Sequence, residues 1–244
     1  MTVDVSRGTS QDYSAFCIFD ITEFPYRLIG KYRNNEIKPI LFPNIIVETA
    51  RNYNNAHIMV EVNDIGDQVA AIIQYDLEYS NLLMCAMRGR AGQIMGSGFS
   101  GGKAQLGVKM SKAVKKLGCS NLKALIEEDK LLINDYETIA ELTTFVQKKD
   151  SFEADEGYND DLVMCNVIFA WMVLQDYFRE MTDQDVRKRI YDERANEIEQ
   201  DMAPFGFMDN GLDTETIVDE DGNVWQVDEY GTKQYEVEYM MPYI

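Results

Sequence analysis

Histidine is almost missing from this chain: His57 is the only one in 244 residues. That scarcity excludes a His-rich zinc site and weighs against a serine or cysteine triad, both of which need an imidazole in a fixed place. The four cysteines (Cys17, Cys85, Cys119 and Cys165) lie far apart with no C-x-x-C pair. They read as reduced core thiols of a cytosolic protein rather than a redox or zinc motif. No apolar run approaches the roughly 18 to 20 residues of a membrane span. The opening MTVDVSRG lacks the basic-then-apolar order of a signal peptide. The expectation is a chain with no membrane association.

Acidic residues are plentiful, giving a net charge of −19, yet none occurs from Asn81 to Ile126. That stretch holds Arg88, Arg90, Lys103, Lys109, Lys112, Lys115, Lys116 and Lys123, a local balance of +8. From Asp201 onward there are eleven acids and one base, Lys233, a balance of −10. Contacts to a nucleic-acid backbone depend on the local field, so an acidic protein can still hold a polyanion along one basic segment. A solvated lysine-rich face is the plainer alternative.

Periodicity predicts strands over Thr2 to Val5, Ala15 to Ile21, Arg27 to Arg33, Ile58 to Val62 and Leu82 to Met87, with Phe24-Pro25 near a turn. Helices are predicted over Pro43 to Tyr53 and Asp67 to Leu77. Arg88 to Leu106, with six glycines, reads as a loop or hairpin arm. Helices follow over Lys109 to Leu117 and Leu122 to Lys130, then a strand over Leu131 to Asn134. Further helices are predicted over Tyr136 to Lys148, Asp161 to Phe178 and Asp183 to Met202. This order makes an α/β protein with a mixed sheet flanked by helices. After residue 202, Asp221-Gly222 between β-rich runs suggests a small hairpin or three-stranded meander. The organisation expected is therefore a main domain over 1–202 and an acidic β-rich extension over 203–244.

With so little imidazole, chemistry falls to carboxylates and to the hard cations they bind. Three acids stand out. Asp4 ends a strand, Glu61 interrupts the apolar IMVEV, and Asp161 stands with Asp160 at the mouth of the most apolar helix, DDLVMCNVIFAW. Gathered at one sheet edge, three ionised carboxylates repel unless cations sit among them. A helix N-terminus has room for both aspartates: one caps it while the other binds metal. Taken singly, an N-cap aspartate and an edge-strand glutamate are also common structural choices.

Other motifs fail on spacing. Gly96 to Gly101 spells G-x-G-x-x-G without a strand before it or a helix directly after. Gly101-Gly102-Lys103 misses the phosphate-loop spacing, and Asp219 to Gly222 resembles half a calcium loop with Ile217 in the first ligand position.

DVSRGTSQDYSAF, HIMVEVN, GCSNLKALIEEDKLLI and EGYNDDLVMCNVIFAW, in this order, resemble the C-terminal nuclease domain of the large terminase subunit of T-even-like tailed bacteriophages. The likeness runs from about Val3 to the helix ending near Met202. It implies a ribonuclease-H-like fold and a metal-dependent endonuclease that cleaves concatemeric double-stranded phage DNA during genome packaging. It also implies Asp4, Glu61 and Asp161 as the catalytic, metal-binding acids, with two divalent cations, Mg²⁺ or Mn²⁺, as cofactors. Asp12 matches an auxiliary acidic position, and Asp160 would support the ligands from behind. The Lys109 to Lys123 region matches a segment that lies along DNA. The expected partners are double-stranded DNA, a terminase ATPase domain, the portal and the small terminase subunit, in the cytoplasm of the infected bacterial host. No Walker A or B segment is present, so the expectation is a nuclease domain without its ATPase half. The alternatives are another ribonuclease-H-like nuclease, of junction-resolvase or transposase type, and a non-catalytic docking module of the packaging motor.

Overall fold

The structure is a computed structural model that describes residues 1–7, 12–86, 93–97, 104–148, 151–182, 216–218, 224–227 and 233–236. The chain forms two compact units, Met1–Ile190 and Tyr191–Ile244.

The larger unit is built on a five-stranded mixed sheet in the order β4-β1-β2-β3-β8. Its strands are β1 (Thr2–Asp4), β2 (Ser14–Asp20), β3 (Tyr26–Asn34), β4 (Met59–Val60) and β8 (Leu131–Leu132). β2 pairs antiparallel with both β1 and β3, while the two outer strands run parallel to their neighbours. The turn between β2 and β3 contains a cis Phe24-Pro25 bond. Side chains alternate across a strand, and β2 shows it cleanly. Ala15, Cys17 and Phe19 join one core cluster, and Phe16 and Ile18 join the other.

The first core lies against α3 (Lys112–Glu127) and α5 (Asp161–Val173), the second against α1 (Phe42–Asn52) and α2 (Gly66–Ala71). A single π-turn, Ile72–Asp76, extends α2. α5 has every residue from Asp161 to Met172 buried, as its lack of a polar stripe requires. Leu174 and Gln175 end it, and α6 (Asp176–Thr182) leaves at 81°. Among the described residues no single helix is long and apolar enough to cross a membrane.

A second sheet, β6 (Ile94–Ser97), β5 (Leu83–Ala86) and β7 (Ala104–Leu106), adjoins the edge strand β4 through bridges at Ile58–Leu82 and Glu61–Val108. Gly107 makes the junction at φ +81°, where an added Cβ would stand 2.2 Å from the Val60 carbonyl oxygen. The glycine-rich arm is therefore partly a hairpin.

Three expected elements differ. The helix expected over Asp161 to Phe178 is broken: α5 stops at Val173 and α6 begins at Asp176. Lys109 to Lys130 holds one helix, α3, not two: Gly118 is kept helical because it packs directly on α5. The helix expected to reach Lys148 stops at Thr144 as α4 (Tyr136–Thr144). Thr143 and Thr144 turn their hydroxyls onto the carbonyls of Ala140 and Glu141, a local bond that competes with the helix. β9 (Phe145–Lys148) and β10 (Ser151–Ala154) then pair as a hairpin with Phe145 stacked on Phe152. The helix expected over 183–202 lies outside the described residues.

In the smaller unit β11 (Thr216–Val218), β12 (Val224–Val227) and β13 (Lys233–Glu236) form an antiparallel meander.

Candidate active site

β1 and β4 align with Thr2 beside Met59 and Val3 beside Val60, and Glu61 N donates to the Val3 carbonyl at 2.9 Å. By alternation Asp4 shares the face of Thr2, and Glu61 shares that of Met59. Thr2 Oγ1 donates to the Cys165 carbonyl on α5 at 2.9 Å, and Met59 packs in the core between sheet and α5. Both acids therefore face the helix that begins with Asp161.

Electrostatics shows the convergence. Burial first, then the charges of Glu61, Asp161 and Asp160, push the Asp4 carboxyl well above the usual carboxylate range. Burial carries Glu61 up to about 7, with Lys115 and the Asn63 amide opposing and Asp160 adding to the rise. Burial and then Glu141 carry Asp161 up to about 7 against the pull of Arg33 and the Tyr13 N–H. Carboxyl groups raised this far are ones whose charge is poorly solvated and crowded by like charge.

The acids are gathered but not closed into a cage. Among the described residues no three His, Cys, Asp or Glu side chains form a ready metal-binding group. Each is tied to a different neighbour. Glu61 Oε1 accepts from Asn63 Nδ2 at 2.9 Å, and Asn63 also receives Met110 N on Oδ1 at 3.2 Å. Asp160 Oδ2 accepts from Ala154 N at 3.3 Å, and Asp161 Oδ1 accepts from Tyr13 N at 3.3 Å. Asp161 Oδ2 is buried with no hydrogen bond. An all-carboxylate oxygen set with one buried, unshared oxygen has the chemistry that hard divalent ions take.

Neither aspartate caps α5, which corrects one expectation. Asp160 occupies the N-cap position but makes no side-chain cap bond. Glu141, from α4, caps the helix from outside: its Oε2 accepts from Leu162 N at 2.8 Å and Val163 N at 3.2 Å. Both aspartates are thereby released from capping. Glu141 Oε1 meets Arg33 NH2 at 3.1 Å, and the guanidinium lies over the Tyr13 ring at 3.9 Å. Glu141, Arg33, Tyr13 and Asn63 are the site residues that sequence reasoning missed. Asn63 and Tyr13 stood in quoted motifs; Glu141 and Arg33 did not, and their contacts join elements distant in the chain.

Asp12 is exposed, one residue before the Tyr13 that bonds Asp161. Arg88, Arg90 and Lys103 lie outside the described residues. Lys112, Lys116 and Lys123 on α3 fall within about 40° of one another at 3.6 residues per turn, and all three are exposed, as is Lys109 before the helix. Lys123 is paired with Glu127 at 3.6 Å. Lys115 is half-buried and is the basic group whose charge reaches Glu61. A cavity of about 490 Å³ opens elsewhere, lined by Met1, Asp20, His57 and Phe169 among others, and none of the three acids borders it.

Comparison with known proteins places this arrangement. The model of the terminase RNaseH-like domain family matches residues 1–172. The large terminase nuclease of thermophilic phage G20c aligns at a TM-score of 0.50 and 18% identity, over 71% of this chain and 80% of that one, which shows a shared fold. The same nuclease with bound magnesium aligns at 0.49 and 21% identity, over 69% and 77%. With bound cobalt it aligns at 0.48 and 18%, over 69% and 77%. The family match spans well over half the chain, and the mixed sheet with its flanking helices agrees with it. The chain belongs to the terminase RNaseH-like domain family.

Proposed function

We propose that this domain is a Mg²⁺- or Mn²⁺-dependent endodeoxyribonuclease that cuts concatemeric double-stranded phage DNA during packaging by two-metal phosphodiester hydrolysis. One observation carries the reading: half-buried Asp4 at the end of β1 and Glu61 just past β4 share the sheet face that meets the helix beginning with Asp161, and the charges of Glu61, Asp161 and Asp160 all raise the Asp4 carboxyl. Such a crowd of acids has little use in stabilising a fold, because each added charge works against the others. Two bound divalent cations would polarise the phosphate, supply an activated water and stabilise the leaving oxygen. Asp4, Glu61 and Asp161 would hold them. Asp160, fastened to the β10 backbone, would orient the start of α5, and Asp12 would stand by as an auxiliary ligand. The exposed lysines of α3, with Lys109, Arg88, Arg90 and Lys103, would grip phosphates and so position the duplex without reading its bases. In the packaging motor the domain would act beside a terminase ATPase domain, the portal and the small terminase subunit, in the cytoplasm of the infected bacterium.

Supercoiled-plasmid cleavage with Mg²⁺, Mn²⁺ and Ca²⁺ tests the reading. Asp161→Ala and Asp4→Ala should abolish nicking while thermal unfolding stays cooperative. Persistent cleavage by Asp4→Ala would refute the assignment. The spread of the acids onto separate hydrogen-bond partners favours one rival, a non-catalytic docking module. That rival predicts no divalent-ion binding by calorimetry at millimolar metal.

A further inference from the structure

Arg33 stands between two acids and is shared unequally. Its NH2 nitrogen is 3.1 Å from Glu141 Oε1 and 3.8 Å from Asp161 Oδ2. The first distance is a close ion pair; the second is beyond hydrogen-bond reach. A half-buried guanidinium cannot shed its charge, so an anionic partner stabilises it. Among the described residues these are the only two acids within ion-pair distance of it. The Tyr13 ring, its centroid 3.9 Å from the guanidinium carbon, covers one face of the group.

Glu141 is built to hold its share. It is 7% exposed, and its other oxygen is anchored by the Leu162 and Val163 amides. Among the described residues neither Glu141 Oε1 nor Asp161 Oδ2 accepts a hydrogen bond, so the two differ only in distance, and Arg33 stands 0.7 Å nearer Glu141. A carboxylate gripped by arginine at the usual 2.7 to 2.9 Å offers those lone pairs to the guanidinium instead of to a cation. Moving Arg33 roughly 1 Å toward Asp161 would produce that blocked state.

We propose that Glu141 is a positioning residue that holds Arg33 off Asp161 and so keeps Asp161 Oδ2 open to a divalent cation. This rests on the metal-dependent reading above. It differs from a purely structural capping role, in which Glu141 would matter only for the two amides it receives. Glu141→Gln separates the two roles. The amide retains an oxygen for Leu162 and Val163 and nearly the same volume, but it loses the charge that holds the guanidinium.

The probe is Mn²⁺ alone, titrated by calorimetry into the full chain, with Mn²⁺-dependence of plasmid nicking as a second readout. Removing a group that orients a ligand typically costs 10- to 100-fold in metal affinity, and that loss is expected for Glu141→Gln. The double variant Arg33→Gln/Glu141→Gln should recover most of it, because the competing cation is gone. Arg33→Gln alone should bind Mn²⁺ at least as tightly as wild type, which keeps the test open should Glu141 variants fail to fold. Wild-type affinity in Glu141→Gln, a double variant no better than the single one, or weaker binding by Arg33→Gln each overturns the proposal. A wild-type protein that binds no Mn²⁺ overturns the metal-dependent reading and this inference together, a result distinct from failure in the variants.

Discussion

Gly118 and Val167 are in direct backbone contact: a β-carbon on Gly118 would stand 2.5 Å from the Val167 carbonyl oxygen and 2.7 Å from its Cγ1. This contact brings α3, with its lysines, onto the helix that starts at Asp161. Asn121 Nδ2, one turn further along α3, donates to the Ala170 carbonyl at 2.7 Å and fixes the same crossing. Gly118→Val must push the helices apart, and overpacking of this kind costs about 1 to 3 kcal/mol. Urea unfolding should show a lower midpoint with little change in slope. Ser120→Ala, at an exposed position of the same helix, should leave the midpoint within about 0.5 kcal/mol of wild type.

Asn63 links Glu61 to the segment leading into α3, donating to Glu61 Oε1 and receiving the Met110 N–H. Asn63→Ala frees the Glu61 carboxylate to rotate. Cleavage at limiting Mn²⁺ should fall about 10- to 100-fold, with partial recovery at high metal concentration. An unchanged metal dependence would remove Asn63 from the site.

Lys112 and Lys116 are exposed and make no ion pair among the described residues. Each phosphate contact contributes about 0.9 to the slope of log K against log salt. Lys112→Gln/Lys116→Gln should therefore lower the slope of DNA binding by roughly 2, measured by fluorescence anisotropy between low and physiological salt. Binding that ignores salt in the wild type would take α3 out of the interface.

Asp135 caps α4, accepting from Thr138 N at 2.8 Å, and pairs with Lys31 Nζ at 2.8 Å. Burial works to raise its pKa, but bonds from Lys31 and Thr138 outweigh that and hold it below the usual carboxylate value. A group with a depressed folded pKa contributes stability that is present above its unfolded pKa of about 3.9 and is lost as pH falls through its folded pKa. Asp135→Asn keeps a good cap but cannot titrate. Its melting temperature should lie below wild type at neutral pH, and the gap should narrow as pH falls below the unfolded value of about 3.9. A gap that persists at low pH would show that the carboxylate charge contributes nothing.

Local pattern was enough for much of the fold. The alternation of Ala15 to Ile21 and Arg27 to Arg33, the proline at the start of α1 and the uninterrupted apolar run of α5 each specify an element through its own hydrogen-bond period. It failed where tertiary contact overrides propensity. A glycine in the middle of α3 reads as a break until a neighbouring helix needs the space, and Thr143 to Val146 reads as helix until a second strand pairs with it.

The sequence by itself determined which chemistry was available: one histidine, dispersed thiols, and acids placed against apolar surroundings leave carboxylate and hard-cation chemistry. It singled out Asp4 at a strand end, Glu61 inside an apolar strand and Asp161 at the mouth of an apolar helix as candidates. Only the tertiary structure decided how the start of α5 is held. Glu141 caps it from 21 residues upstream, and Arg33 answers Glu141 across the sheet. Such partners leave no periodic trace, since a buried charge is satisfied by whatever the fold brings within about 3 Å of it, regardless of distance along the chain.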